Sequence, residues 1–362
     1  MCSMAGDMLR DLVALQCQGA RTRSGSEEAR RGGAGPSDDR AYRMGAHTLM
    51  IPTRNRPARG SPFEIVSGCD GSTLEKQGER IGQLVAVPRP QFYDLQTADG
   101  TSYEKLARLH GSDCLATTVV QECHRYDDPA TRCRFCAIGV SLASGATVHT
   151  KTPAQLAEVA RAAKMLDGVT HVTLTSGTVD RPDRGALYLG ECAAAIKRTT
   201  GLPVQVQFEP PSDDSVFAAL KDLGVDDIGL HIESFDPAVR ARVTPGKASI
   251  DIEQYFAAFH AAVRVMGRGR VSTYVILGLG EDEGLTLDGC HRAISLGVYP
   301  FVVPLRPMLG TMLAKAEPPS LEYVGRVYDA VGDMLARARL SSRDSSAGCV
   351  KCRACSLLQL RE

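Results

Sequence analysis

From residue 114 to residue 338 the chain alternates short apolar runs with amphipathic helical patterns, and this alternation limits the fold more than any other feature. The runs 115–121, 171–175, 204–208, 227–232, 271–277 and 299–304 read as buried strands. Helical periodicity fills 153–166, with Thr152 as its N-cap, then 186–198, 215–223, 252–266 and 285–296, and continues over 318–338 after the last strand. Strands joined through helices run parallel. Polar and glycine residues recur just past each strand: Cys123, the run 175–178, Glu209, Glu233 with Ser234, the run 278–281, and Arg306. In a barrel these points share the face where such enzymes build their sites, so an α/β barrel of six βα units is expected over an open doubly wound sheet.

The N-terminal third has a different texture. Leu9, Leu12, Val13 and Leu15 suggest a short amphipathic helix over 7–20. Residues 21–43 are rich in Gly, Ser and charge and read as a linker or lid. The same glycines could wrap an anion with backbone amides, but no strand precedes them and no strong helix follows. Short β-like pieces at 47–52, 63–66 and 81–87 suggest a small accessory lobe. The expected divisions are therefore 1–45, helix and Gly-rich lid; 46–112, accessory lobe; 113–316, barrel core; and 317–362, C-terminal helix and Cys-rich tail.

Lys plus Arg and Asp plus Glu balance at 42 each, so no net field would gather nucleic acid or anionic lipid. No apolar stretch approaches the roughly 20 residues of a membrane helix, and a cytoplasmic protein is expected. Twelve cysteines are many for a reducing compartment, where clustered thiols more often bind metal than pair.

Six of the twelve form two sets. Cys123, Cys133 and Cys136 leave the end of the first barrel strand together, and three thiolates there can hold a soft metal or an iron–sulfur cluster with one position left open. Cys349, Cys352 and Cys355 have two-residue gaps that bring successive thiolates to one centre, an auxiliary cluster or a zinc site, with the fourth ligand to be sought among Cys69, Cys114, a His or the substrate. Cys192 and Cys290 fall inside helical patterns and read as core, and Cys2 and Cys17 have no partner by spacing. His124 and the Asp127–Asp128 pair read as loop surface.

The first cysteine set, Ser176-Gly177-Thr178, the run HIESFDPAVRARVTPGK at 231–247, VILGLGE at 275–281 and FVVPLRPMLGT at 301–311 together resemble the radical S-adenosylmethionine (SAM) superfamily, most of all its biotin and lipoyl synthases. The family's cysteine motif has gaps of three and two. Here the first gap is nine, while Phe135 before the last cysteine matches the usual aromatic.

The resemblance implies a partial (βα)6 TIM-type barrel, a [4Fe-4S] cluster on Cys123, Cys133 and Cys136, and SAM held by Ser176, Gly177 and Thr178. It further implies Glu209 or Glu233 at the ribose, Arg242 (runner-up Arg240) at the SAM carboxylate, and Ile276 and Gly278 at the adenine. His231, Tyr274, Glu209 and Arg306 would line the substrate pocket. The runs RRGGAGPSDD, QTADGTSYEKLARLHG and HIES with TPGK are similar to a radical SAM family encoded beside a nitrilase in nitrogen-starvation gene clusters. That likeness implies a small nitrogen-containing substrate and a reductant such as flavodoxin or ferredoxin.

Two other readings stay open. A sulfur-inserting synthase would use the second cysteine set as a sulfur-donating cluster, although its position and spacing match neither biotin nor lipoyl synthase. A zinc-stapled binding protein without catalysis would complete the first set with His124.

Overall fold

The structure, a computed structural model, describes residues 2–22, 32–33, 35, 39–68 and 71–362, without the side chains of 2–7. Its strands form two sheets. The smaller contains β1 (Arg21–Thr22), β2 (Arg40–Met44), β3 (His47–Ile51), β4 (Phe63–Gly68), β5 (Gly71–Lys76) and β6 (Glu79–Ala86), in the order β1-β4-β5-β6-β2-β3. Only β1 and β4 pair in parallel; the other neighbours are antiparallel. The Gly-rich stretch is therefore flanked on both sides by strands of this sheet. The helix Cys2–Gln18 buries Leu12 and Leu15 against the main core.

The larger sheet runs β13-β12-β11-β10-β9-β8-β7, with β7 at Arg108–His110, β8 at Cys114–Thr118, β9 at His171–Thr175, β10 at Val204–Phe208, β11 at Asp227–Leu230, β12 at Val271–Leu277 and β13 at Val298–Pro304. Strands β8 to β13 are parallel, and β7 adds an antiparallel edge. This is the expected mixed α/β partial barrel of six βα units, curled into a half-barrel, with the Cys-rich segment following it at the C-terminus of the chain. Side chains two apart on each strand face inward, for example Cys114, Ala116 and Thr118 on β8, and line a cavity of about 900 Å³. Their neighbours, such as Val172 and Leu174, are buried among the surrounding helices.

Helix boundaries follow local chemistry. Thr152 caps Pro153–Asp167 in a reciprocal box with Gln155, and Asp251 does the same for Ile252–Met266 with Gln254. The last long helix begins at Leu321 instead of 318, because consecutive prolines at 318 and 319 disfavour helical backbone before them and Ser320 supplies the cap.

Strand β11 ends at Leu230, short of the expected 232. There the amide of Ile232 is taken by the Thr273 hydroxyl (3.1 Å), and His231 Nδ1 accepts from the amide of Tyr274 (3.2 Å). The chain rejoins β12 only at Glu233, whose φ is 62°.

Candidate functional site: a thiol-lined barrel interior

The loop after β8 carries Cys123, Cys133 and Cys136 into the cavity, none of them in a disulfide. The long first gap is a folded loop. Thr131 and Arg132 amides bond the Asp128 carbonyl, Thr131 Oγ1 donates to the Arg125 carbonyl at 3.0 Å, and Gly246 N donates to the Thr131 carbonyl at 3.0 Å. His124 uses its amide and ring on the Thr178 carbonyl, and Asp128 accepts from Ala130 N, so these residues brace the loop. Phe135 packs beside Val239, Val243, Leu279 and Leu305. A Cβ at Gly177 would lie 1.9 Å from the Glu122 carbonyl, so a bare backbone there is what lets the cysteine loop sit on β9.

Charged groups surround these thiols. Glu209 accepts from Arg125 Nη1 at 2.6 Å and from Thr178 Oγ1 at 2.7 Å, all buried. Glu233 accepts from Lys247 Nζ at 2.6 Å, and its other oxygen is buried without a partner. Burial works against the Lys247 ammonium, but the Glu233 carboxylate outweighs it and holds the pKa well above the usual lysine value. Both Lys247 and Glu233 act electrostatically on Cys133.

Of the residues proposed for SAM, Ser176, Gly177, Thr178, Glu209, Glu233 and Ile276 line the cavity, as do His231, Tyr274 and Arg306. Three others do not. Arg242 donates to the Leu279 carbonyl at 2.6 Å, and Arg240 directs Nη2 to the carbonyls of Lys247 and Ile250 and lies over the Tyr255 ring, with Nη1 buried and unpartnered. Gly278, with φ 98°, sits in a turn closed by Glu281. The cations that face the cavity beside the thiols are Lys247 and Arg125, which sequence reasoning passed over although Lys247 lies in the quoted TPGK run.

The second cysteine set lines the same cavity. Asp227, at the start of β11, anchors the segment by accepting from Ser345 Oγ, Ser346 N and Ala347 N, and His171 at the start of β9 accepts from Gly348 N. Gly348, with φ 81°, passes so close to Gln205 that a Cβ would lie 1.8 Å from Gln205 Oε1. Cys349, Cys352 and Cys355 then face Gln207, Tyr274, His110 and Arg306.

Cys69 lies outside the described residues. Cys192 and Cys290 are buried helix residues, as expected, with thiols pushed up to about 12 by burial. Among the described residues no three Cys, His, Asp or Glu side chains are gathered as they would be around a single metal ion. A cluster presents separate irons to separate thiolates, so its ligands need not meet at one point.

The first site fits a cluster and SAM on two observations: three cysteines outside any disulfide that follow one strand end into the cavity, and a buried carboxylate oxygen of Glu233 left without a donor. The radical SAM superfamily profile matches residues 128–285. The chain contains a radical SAM domain. It is a radical SAM enzyme, which sets aside the non-catalytic zinc-stapled reading.

The chain is 27% identical over 333 residues to a bacteriochlorophyllide c C-7(1)-hydroxylase of Chlorobaculum limnaeum, covering 81% of this chain and 83% of that protein. It is 31% identical over 188 residues to a lipoyl synthase of Syntrophotalea carbinolica, covering 46% of this chain and 55% of that one. A solved radical SAM methyltransferase from Sphaerobacter thermophilus is 16% identical, with a TM-score of 0.48 over 82% of this chain and 80% of that chain. Among the described residues no helix is long and apolar enough to cross a membrane.

Proposed function

We propose that this enzyme cleaves SAM reductively and removes a hydrogen atom from a carbon of a small, nitrogen-containing metabolite held in the barrel. A [4Fe-4S] cluster on Cys123, Cys133 and Cys136 would supply the electron that turns bound SAM into methionine and a 5′-deoxyadenosyl radical. The observation that carries the reading is Glu233. Its backbone is held in a left-handed conformation where β11 breaks, and it turns one unpartnered buried oxygen into the cavity beside the thiol loop.

That oxygen can accept from a ribose hydroxyl or an ammonium group, and Lys247 can donate to a carboxylate. The pair thus complements a ligand carrying both charges. Thr178 and Arg125 hold Glu209 from two sides. Gly33 helps exclude water by closing over the rim, where its carbonyl accepts from Ser141 Oγ at 2.6 Å and Gln121 Nε2 at 3.2 Å. The nitrogen-containing substrate class rests on the likeness to the nitrilase-linked family. A flavodoxin or ferredoxin would donate the electron, a cytoplasmic setting suits both, and the balanced charge argues against a nucleic-acid partner.

The test is anaerobic reconstitution with iron and sulfide followed by measurement of 5′-deoxyadenosine. Wild type should form it, and the variant with Cys123, Cys133 and Cys136 all changed to Ala should not. A wild type that binds zinc and leaves SAM intact would end the proposal. Sulfur insertion is the second reading, because a second set of thiols lines the same cavity. It requires that the product gain sulfur, which mass spectrometry would show.

A further inference from the structure

We propose that the lower barrel contains a second iron–sulfur cluster site, formed by Cys349, Cys352 and Cys355 of the C-terminal segment together with Cys114 of β8, with His110 as a hydrogen-bond donor to its sulfurs. The site uses none of the first cysteine triplet and does not depend on SAM being cleaved.

The fourth thiol is identified by strand pairing. His110 and Cys114 are directly opposite partners across the tight β7–β8 hairpin, so their side chains leave the same face, which here is the barrel interior. Gly111 in the turn makes room for the incoming segment, since a Cβ there would lie 2.8 Å from Cys352 Sγ and 3.2 Å from Ala354 Cβ. Cys114 and Cys352 act on each other electrostatically.

The three tail thiols are aimed by backbone geometry. Cys349 and Cys352 share one face of the short helix Gly348–Cys352. Arg353 then takes a left-handed conformation, φ 61°, and turns the chain so that Cys355 faces the same space. The segment is held there by Met50 N, which donates to the Ala354 carbonyl at 2.8 Å, and by Ser356 Oγ on the Val302 carbonyl at 2.6 Å.

The surroundings are those of ligands, not of core cysteines. The ring nitrogens of His110 lie 3.4 Å from Cys352 Sγ and 3.4 Å from Cys355 Sγ. Gln207 Nε2 donates to Cys349 Sγ at 3.3 Å, Tyr274 lines the cavity beside it, and Arg306 Nη1 lies 3.9 Å from Cys355 Sγ. Cationic and N–H donors to thiolate sulfur stabilise the bound charge and tune a cluster's potential. Cys290, by contrast, is a buried helix residue whose thiol meets only desolvation. Iron–sulfur chemistry is favoured over zinc because, among the described residues, no three ligating side chains gather around a single point as one zinc ion requires.

The experiment uses the full chain with Cys123, Cys133 and Cys136 all changed to Ala, so that the first site is removed. After anaerobic reconstitution, iron, acid-labile sulfide and zinc are counted, and EPR spectra are recorded on the reduced protein. About four irons and about four sulfides per chain are expected to remain, falling to near zero when Cys352→Ala is added. Adding Cys114→Ala should remove at least one iron. Adding Cys290→Ala should change nothing.

His110→Gln keeps every thiol and guards against variants that fail to fold; it should retain the iron and shift the reduction potential. No iron in the triple variant, zinc in place of iron and sulfide, or full retention with Cys114→Ala or Cys352→Ala would each overturn the assignment. Loss of the iron in His110→Gln would make His110 a ligand and would also overturn it. Failure of wild type to cleave SAM while this iron remains would count against the proposed reaction and leave the second site standing.

Discussion

Arg125, carried by the loop after β8, meets Glu209, the residue after β10, at 2.6 Å, with both side chains almost fully buried. Thr178, just past β9, donates to the same carboxylate, so three consecutive strand ends converge on one acceptor. Removing one member of a buried ion pair leaves an uncompensated charge. Arg125→Ala should therefore lower the denaturant-derived stability of the apoprotein by about 3–5 kcal/mol, with Glu209→Ala similar. The double variant should cost less than the sum of the two. Strict additivity would show that the pair is not coupled.

Gly177→Ala places a methyl group 1.9 Å from the Glu122 carbonyl, where backbone must move. A stability loss of about 1–3 kcal/mol is expected, together with lowered iron occupancy at the first triplet. Thermal unfolding and iron counting check the two effects separately. An unshifted midpoint with full iron would contradict the close approach.

Burial holds the pKa of His231 down to about 3, assisted by Lys247, and Nδ1 accepts from the Tyr274 amide, which requires a neutral ring. The folded pKa lies below the unfolded value of about 6.5. The unfolded chain therefore binds the extra proton first, and the ring's contribution to stability is complete above about 6.5 and lost as pH falls toward 3. Urea midpoints at pH 7 and pH 5 should fall further for wild type than for His231→Asn. Equal falls would place the acid sensitivity elsewhere.

Lys151 is 1% exposed, and its ammonium is bonded to the Thr118 carbonyl and Thr147 Oγ1. Burial lowers its pKa to about 7. Since the unfolded value is about 10.4, folding disfavours the charged form, and stability should rise with pH between about 7 and about 10. Lys151→Met should flatten that rise. A Lys151→Met protein that gains as much stability as wild type from pH 7 to pH 9 would refute the assignment.

The barrel was legible because strands buried on both faces appear as continuous apolar runs. The bounds of β9, β10 and β12 coincide with such runs. Strand β7 was not legible, since Arg108, Leu109 and His110 are too few and too mixed to show a period. The accessory sheet was seen only in fragments: its hairpins β2–β3, β4–β5 and β5–β6 are local, but they are joined by β1–β4 and β2–β6 pairings that each span about forty residues. The two cysteine sets were visible as clusters, while Cys114 was one of several choices for the fourth ligand.

What brings His110 beside Cys352 is a contact across 242 positions of chain, which no local pattern encodes. The same holds for the Arg125–Glu209 pair, 84 residues apart. For the SAM residues, the break in β11 that turns Glu233 inward depends on the Thr273 hydroxyl of a neighbouring strand, so only the residue type was readable beforehand.

The segment 345–358 seals the barrel beneath the starts of β9 and β11, yet it follows every barrel strand in the sequence. On a ribosome, where chains emerge N-terminus first, the parallel strands are complete while their lower opening still gapes. The interior is thus a vessel whose base is fitted after its walls.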